Sequence, residues 1–145
     1  MKHIVLPIDT TPETREKVPF TTALAILLVA KVDILTISEF DLPDILQRLS
    51  EYALQVSMYM NQFGVKNSIN HANGMNQTDI TIEFAQSKQA DLISIVTEQE
   101  KSISNILLGS HAHQMINKSP VPVLLFPTRQ IGVISESFKT EGINY

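Results

Sequence analysis

Five short runs rich in β-branched residues, each separated from the next by a helical pattern, constrain this chain's fold most. They are Ile4-Val5-Leu6-Pro7-Ile8, Val32 to Ile37, Lys66 to His71, Leu92 to Val96, and Val121 to Phe126. Four are almost continuously apolar, as strands covered on both faces must be. The third, Asn67-Ser68-Ile69-Asn70-His71, is polar and suits an edge strand. Between the runs, Ile45, Leu49, Tyr52, Val56, Met60 and Phe63 form one stripe at the α-helical period, with Gly64 as the C-cap. A helix is expected from about Thr14 to Ala30, apolar on most sides and therefore well buried, with Pro19 bending or delaying it. Thr78-Asp79 can cap a shorter helix through Gln89. Ile106, Leu107, Leu108, Ala112, Met115 and Ile116 supply the apolar side of a last helix. This alternation predicts an α/β domain: a Rossmann-like, open, five-stranded parallel sheet with right-handed crossovers and helices on both faces. Pro122 cannot donate a ladder hydrogen bond and suits an edge.

The chain of 145 residues is long enough to bury a core. One domain is expected over residues 1–128, with 129–145 a C-terminal tail lacking a clear period. A net charge of -4, with no run of Lys and Arg, argues against nucleic acid as a partner. There are no cysteines, which excludes disulfides, thiolate metal sites and thiol nucleophiles. The apolar start MKHIVLPID is too short for a signal-peptide core, and the run Ala23 to Ala30 falls far below the ~20 residues that cross a bilayer. A cytoplasmic location without membrane contact is expected.

Ligands of doubly wound sheets sit beyond the carboxyl ends of the strands, where strand order reverses. Two loops should meet there, Pro7 to Pro12 and Thr97 to Ser110. Asp9 either accepts hydrogen bonds from a ribose or base or, with Thr10 and Thr11, caps the following helix. Gly109-Ser110 at a helix start suits a phosphate; equally, the glycine can serve a tight turn or close helix packing. His111 and His113, two residues apart, point to different helix faces, so solvation or helix packing fits them better than a shared metal. No Ser-His-Asp order or nucleophile elbow is present, and Asp9 lacks the acidic neighbours of a phosphoacceptor domain.

Ile4 to Asp9, the strand Asp91 to Val96, and above all Leu108-Gly109-Ser110 followed by Ser119-Pro120-Val121-Pro122-Val123 resemble the universal stress protein family, up to about Phe126. The resemblance implies an adenine nucleotide alpha hydrolase-like sheet of order 3-2-1-4-5. It also implies a homodimer through the last strand, with Val121, Val123 and Leu125 at the pairing edge. ATP-binding members carry Gly-x2-Gly-x9-Gly-Ser/Thr around the phosphates. Gly109 and Ser110 match that pattern and Asp9 and Pro7 fit the first strand's end, so Pro7, Asp9, Gly109 and Ser110 form the candidate nucleotide cleft. ATP or AMP is the ligand the resemblance would place there, although no cofactor is required. Val96 and Gln99 occupy the first two glycine positions, and Glu98 and Glu100, offset by Lys101 alone, add charge that opposes a triphosphate. The expected role is a dimeric regulatory or binding module in stress response, not an enzyme and without conventional ATP binding. The alternatives are an adenine-nucleotide switch or slow ATPase with a remodelled loop, and a counterpart of one half of a tandem protein.

Overall fold

The computed structural model describes residues 1–97 and 109–127. Glu98, Gln99, Glu100, Lys101, Ile106, Leu107, Leu108 and the tail lie outside the described residues. Strands β1 (Lys2–Ile8), β2 (Ala30–Ser38), β3 (Asn67–Asn73), β4 (Leu92–Val96) and β5 (Val123–Phe126) form one sheet of order β3-β2-β1-β4-β5, parallel throughout. The order and the polar edge strand agree with expectation. Helices α1 (Val18–Leu28), α2 (Pro43–Gln62), α3 (Gln77–Ser87) and α4 (Ser110–Lys118) cover the two faces.

The side-chain alternation of β1 divides the interior in two. Ile4, Leu6 and Ile8 pack with Val32, Ile34, Val18 and Ala25 of α1, and Ala53, Val56 and Met60 of α2. Val5 points the other way, with Leu35, Ile37, Ile93, Ile95, Ile82 and Ala85 of α3, and Ala112 and Met115 of α4. A buried hydroxyl pair, Thr21 Oγ1 to Ser94 Oγ at 2.8 Å, ties α1 to β4.

Pro19 delays the first helix rather than bending it. A 3-10 turn at Glu13–Arg15 comes first, and α1 then begins with the proline in its opening turn, where an N–H has no intrahelical partner to lose. The helix is less buried than its composition suggests. Val18, Thr21, Thr22 and Ala25 face the sheet, but Ile26, Leu27 and Val29 are 50%, 80% and 75% exposed. A helix laid on a sheet buries one stripe, and only a second layer would bury the rest. The chain leaves α1 through Val29 in the left-handed region, φ 51, and enters β2 at the next residue. The third helix is capped by Asn76, whose Oδ1 accepts from the Asp79 N–H at 3.0 Å, in place of the expected Thr78-Asp79. The C-cap of α2 is Phe63 in place of the expected Gly64, which follows it with φ +69. Val121 precedes β5 and is buried in the second core, while Val123 and Leu125, in the edge strand, are half-buried and pack against that same core.

Candidate functional site

Strand order reverses between β1 and β4: the chain runs outward from β1 to β2 and β3, then returns to β4 on the other side. A ligand crevice is expected at such a reversal, beyond Ile8 and Val96 at the ends of these two strands.

Asp9 organises its own loop through one oxygen. Its Oδ1 accepts from the Thr11 N–H at 2.8 Å, the Thr11 hydroxyl at 2.6 Å and the Thr14 hydroxyl at 3.1 Å, while its N–H donates to Thr14 Oγ1 at 3.1 Å. The capping role thus falls on Oδ1, and none of these bonds reaches Oδ2. Pro7 is buried in β1, and its carbonyl accepts from Lys17 Nζ at 2.6 Å. Lys17 is 1% exposed, and burial pushes its amine down to about 7 against the weaker pull of Asp9. Among the described residues no ion pair includes Lys17. Arg15, on the preceding 3-10 turn, lays its guanidinium 3.7 Å from the Tyr52 ring centroid, and its buried Nε has no partner among the described residues.

Gly109 is buried and extended, φ -68 and ψ 168, a backbone any residue can adopt. The turn itself therefore does not require glycine. Ser110 is exposed at the first position of α4, whose opening turn holds no acidic residue to occupy its amides. His111 Nδ1 lies 2.9 Å from Thr78 Oγ1. Burial, then the Lys17 charge, lowers its proton affinity, and Asp9 works in the opposite direction. His113 is exposed, and no metal-binding group of residues occurs among those described. A cleft of about 370 Å³ lies between Asn76, Gln77 and Thr78 at the start of α3 and Ser110, His111 and Gln114 of α4, with Met75 beside it.

The fold thus brings Ser110 to an open cleft, Asp9 to a half-buried loop, and Pro7 to the interior. Sequence reasoning missed Lys17 and Thr78. The signal for Lys17 was a cation directly ahead of the largely apolar segment Val18 to Ala30.

A second polar cluster lies at the ends of β2 and β3. His71 Nδ1 meets Thr36 Oγ1 at 2.7 Å, while Nε2 meets both Asp41 Oδ1 at 3.2 Å and Ser38 Oγ at 3.4 Å. A catalytic triad needs the carboxylate and the serine on opposite ring nitrogens. Here they share one, and the Ser38 hydroxyl donates to Asp41 Oδ1 at 2.9 Å, so Ser38 is not activated; that bond, then the one from His71, holds the Asp41 carboxyl below its usual range.

The universal stress protein family model matches residues 1–127. Three solved structures are similar to this fold. A universal stress protein from Archaeoglobus fulgidus has a TM-score of 0.73 at 19% identity, covering 86% of this chain and 97% of its own. A universal stress protein in complex with cAMP has a TM-score of 0.70 at 20% identity, over 87% and 96% of the two chains. The universal stress protein from Archaeoglobus fulgidus in complex with dAMP has a TM-score of 0.69 at 20% identity, over 86% and 96%. No curated protein matches the sequence.

Proposed function

The chain belongs to the universal stress protein family, and we propose that it is a dimeric, non-enzymatic binding module of the stress response whose cleft takes a small phosphate ester such as AMP in preference to ATP. One observation carries this reading: where ATP-binding members have the first glycine, Val96 places a 6%-exposed side chain at the end of β4. A triphosphate is cradled by backbone N–H groups that glycine lets it approach closely. With Val96 in that position, the α4 end of the cleft, Gly109 and Ser110, is left to hold one phosphoryl group, and Asp9 Oδ2 remains for a ribose hydroxyl. The two structural relatives described with cAMP and dAMP hold monophosphates. We assign dimerisation to β5, the apolar edge of the sheet, which among the described residues pairs only with β4.

Calorimetry with AMP, ADP and ATP, with and without magnesium, tests the cleft. AMP is expected to bind at micromolar affinity, about tenfold or more tighter than ATP, a difference of roughly 1.4 kcal/mol. Asp9→Ala and Gly109→Val should each abolish AMP binding. Magnesium-ATP binding more tightly than AMP would overturn the reading.

A further inference from the structure

We infer that His111 is a ligand-binding residue of this cleft: held by the Thr78 hydroxyl, its neutral ring donates Nε2–H to a phosphoryl oxygen of the bound ester. The inference deepens, and rests on, the reading above that the cleft takes a small phosphate ester. One buried hydroxyl carries it. Thr78, at the second position of α3, is 2% exposed. Among the described residues the partner of its Oγ1 is His111 Nδ1, at 2.9 Å. Little water reaches a side chain so buried, and its hydroxyl proton then needs a protein acceptor. The Nδ1 lone pair is that acceptor, so the proton of the neutral imidazole sits on Nε2.

Nε2 itself is open. His111 is half-buried and lines the cleft of about 370 Å³. Its Nε2 makes no hydrogen bond to the described residues and is not among their sealed, unpartnered atoms. The ring thus brings an accessible, unspent donor to the cleft. The rest of the lining has the same character: Asn76, Gln77, Ser110 and Gln114 supply carboxamides and a hydroxyl, and no Lys, Arg, Asp or Glu joins them. The cap of α3 takes Asn76 Oδ1, which leaves its amide N–H groups as donors. Neutral donors without a carboxylate among them suit a group that only accepts, and an ionised phosphoryl group is one. Protonating His111 would put an N–H against Thr78 Oγ1 and strand the hydroxyl proton. Burial, then the Lys17 charge, opposes that protonation, and Asp9 favours it. The half-exposed Lys118 and Asp79, on α4 and α3, face each other at 3.9 Å. His111 therefore acts as a neutral donor and not as a titrating cation.

Imidazole nitrogen-15 spectra and calorimetry test this together. In labelled wild type at about pH 7, the His111 ring, assigned by its absence from His111→Phe, should show the neutral Nε2–H tautomer. Adding AMP, or inorganic phosphate as a second probe, should shift Nε2 and leave Nδ1 unprotonated. His111→Phe, which keeps the bulk of a ring without a donor, should bind AMP about ten- to a hundredfold more weakly, as loss of a hydrogen bond to a charged group implies. His111→Gln, which returns a neutral side-chain N–H, should restore most of that loss. Thr78→Val should release the tautomer and weaken AMP binding; circular dichroism checks that each variant folds. Between about pH 7 and 8, where a phosphate ester is almost fully ionised, wild-type affinity should stay level. A protonated ring or an Nδ1–H tautomer at about pH 7 would overturn the inference and leave the cleft reading standing. So would His111→Phe binding AMP as tightly as wild type. Failure of wild type to bind either probe would remove the cleft reading itself, and this inference with it.

Discussion

Replacing Lys17 with methionine, nearly the same length and without charge, should stabilise the fold, and by an amount that depends on pH. A fall in proton affinity from the ordinary 10.5 to about 7 corresponds, at about 1.4 kcal/mol per tenfold, to a burial penalty of roughly 5 kcal/mol. The variant also loses the bond to the Pro7 carbonyl, worth about 1 kcal/mol. A net gain of about 2 to 4 kcal/mol is therefore expected at and below pH 7. The sign follows from proton counting. Between about pH 7 and 10.5 the unfolded chain holds a proton on Lys17 that the folded chain does not, so wild-type stability rises with pH across that window. Below it both states are protonated and the full penalty applies; above it neither is. The advantage of Lys17→Met should accordingly shrink by about 1.4 kcal/mol per pH unit above 7. Urea unfolding of both proteins from about pH 6.5 to 9.5, with equal slopes, measures it. A variant less stable than wild type throughout, or a gap that does not move with pH, would show that the amine is not held in a desolvated site.

Three further outcomes are expected. Val29 is 75% exposed and left-handed at φ 51, so Val29→Gly should gain on the order of 1 kcal/mol, seen as a melting temperature higher by a few degrees; a loss would mean the backbone there is unstrained. Thr21→Val and Ser94→Ala should each cost about 1 to 2 kcal/mol by stranding the other buried hydroxyl, and the double variant should cost clearly less than their sum; strict additivity would deny the 2.8 Å bond a role. Sedimentation of wild type at micromolar concentration should give a dimer, and Leu125→Lys should shift it toward monomer with unchanged circular dichroism; a wild-type monomer would refute pairing through β5.

The architecture was legible because β1, β2 and β4 are buried on both faces and β5, though half-buried, is apolar throughout, so their hydrophobicity is continuous and their lengths bounded. The exception, β3, announced itself by its asparagines as an edge. The sheet order is not a property of any single run; it came with the Gly-Ser and Pro-Val-Pro-Val residues that carry the family resemblance. Local detail was harder to read where two residue types could do the same work. Asn76 won the cap of α3 over Thr78 because Thr78 turns inward to His111. The apolar end of α1 pointed to burial, but composition does not reveal how many layers lie above a helix. In the site, the sequence marks the ends of strands and the Gly-Ser turn. It does not show that a lysine eight residues after Asp9 folds back onto the carbonyl two residues before it, because that contact is made by the path of the 3-10 turn and not by any spacing rule.

The two edges of the sheet are chemically unlike. On one side β3 presents Asn67, Asn70, His71 and Asn73; on the other, β5 presents Val123 to Phe126. A sheet with two apolar edges could add copies head to tail without limit. In the dimer proposed above, a β5 edge would meet another β5 edge, a two-fold contact that closes on itself. On the proposed pairing, the asparagines of β3 set an upper bound on assembly: growth by strand addition would stop at two copies, with the far edge left wet.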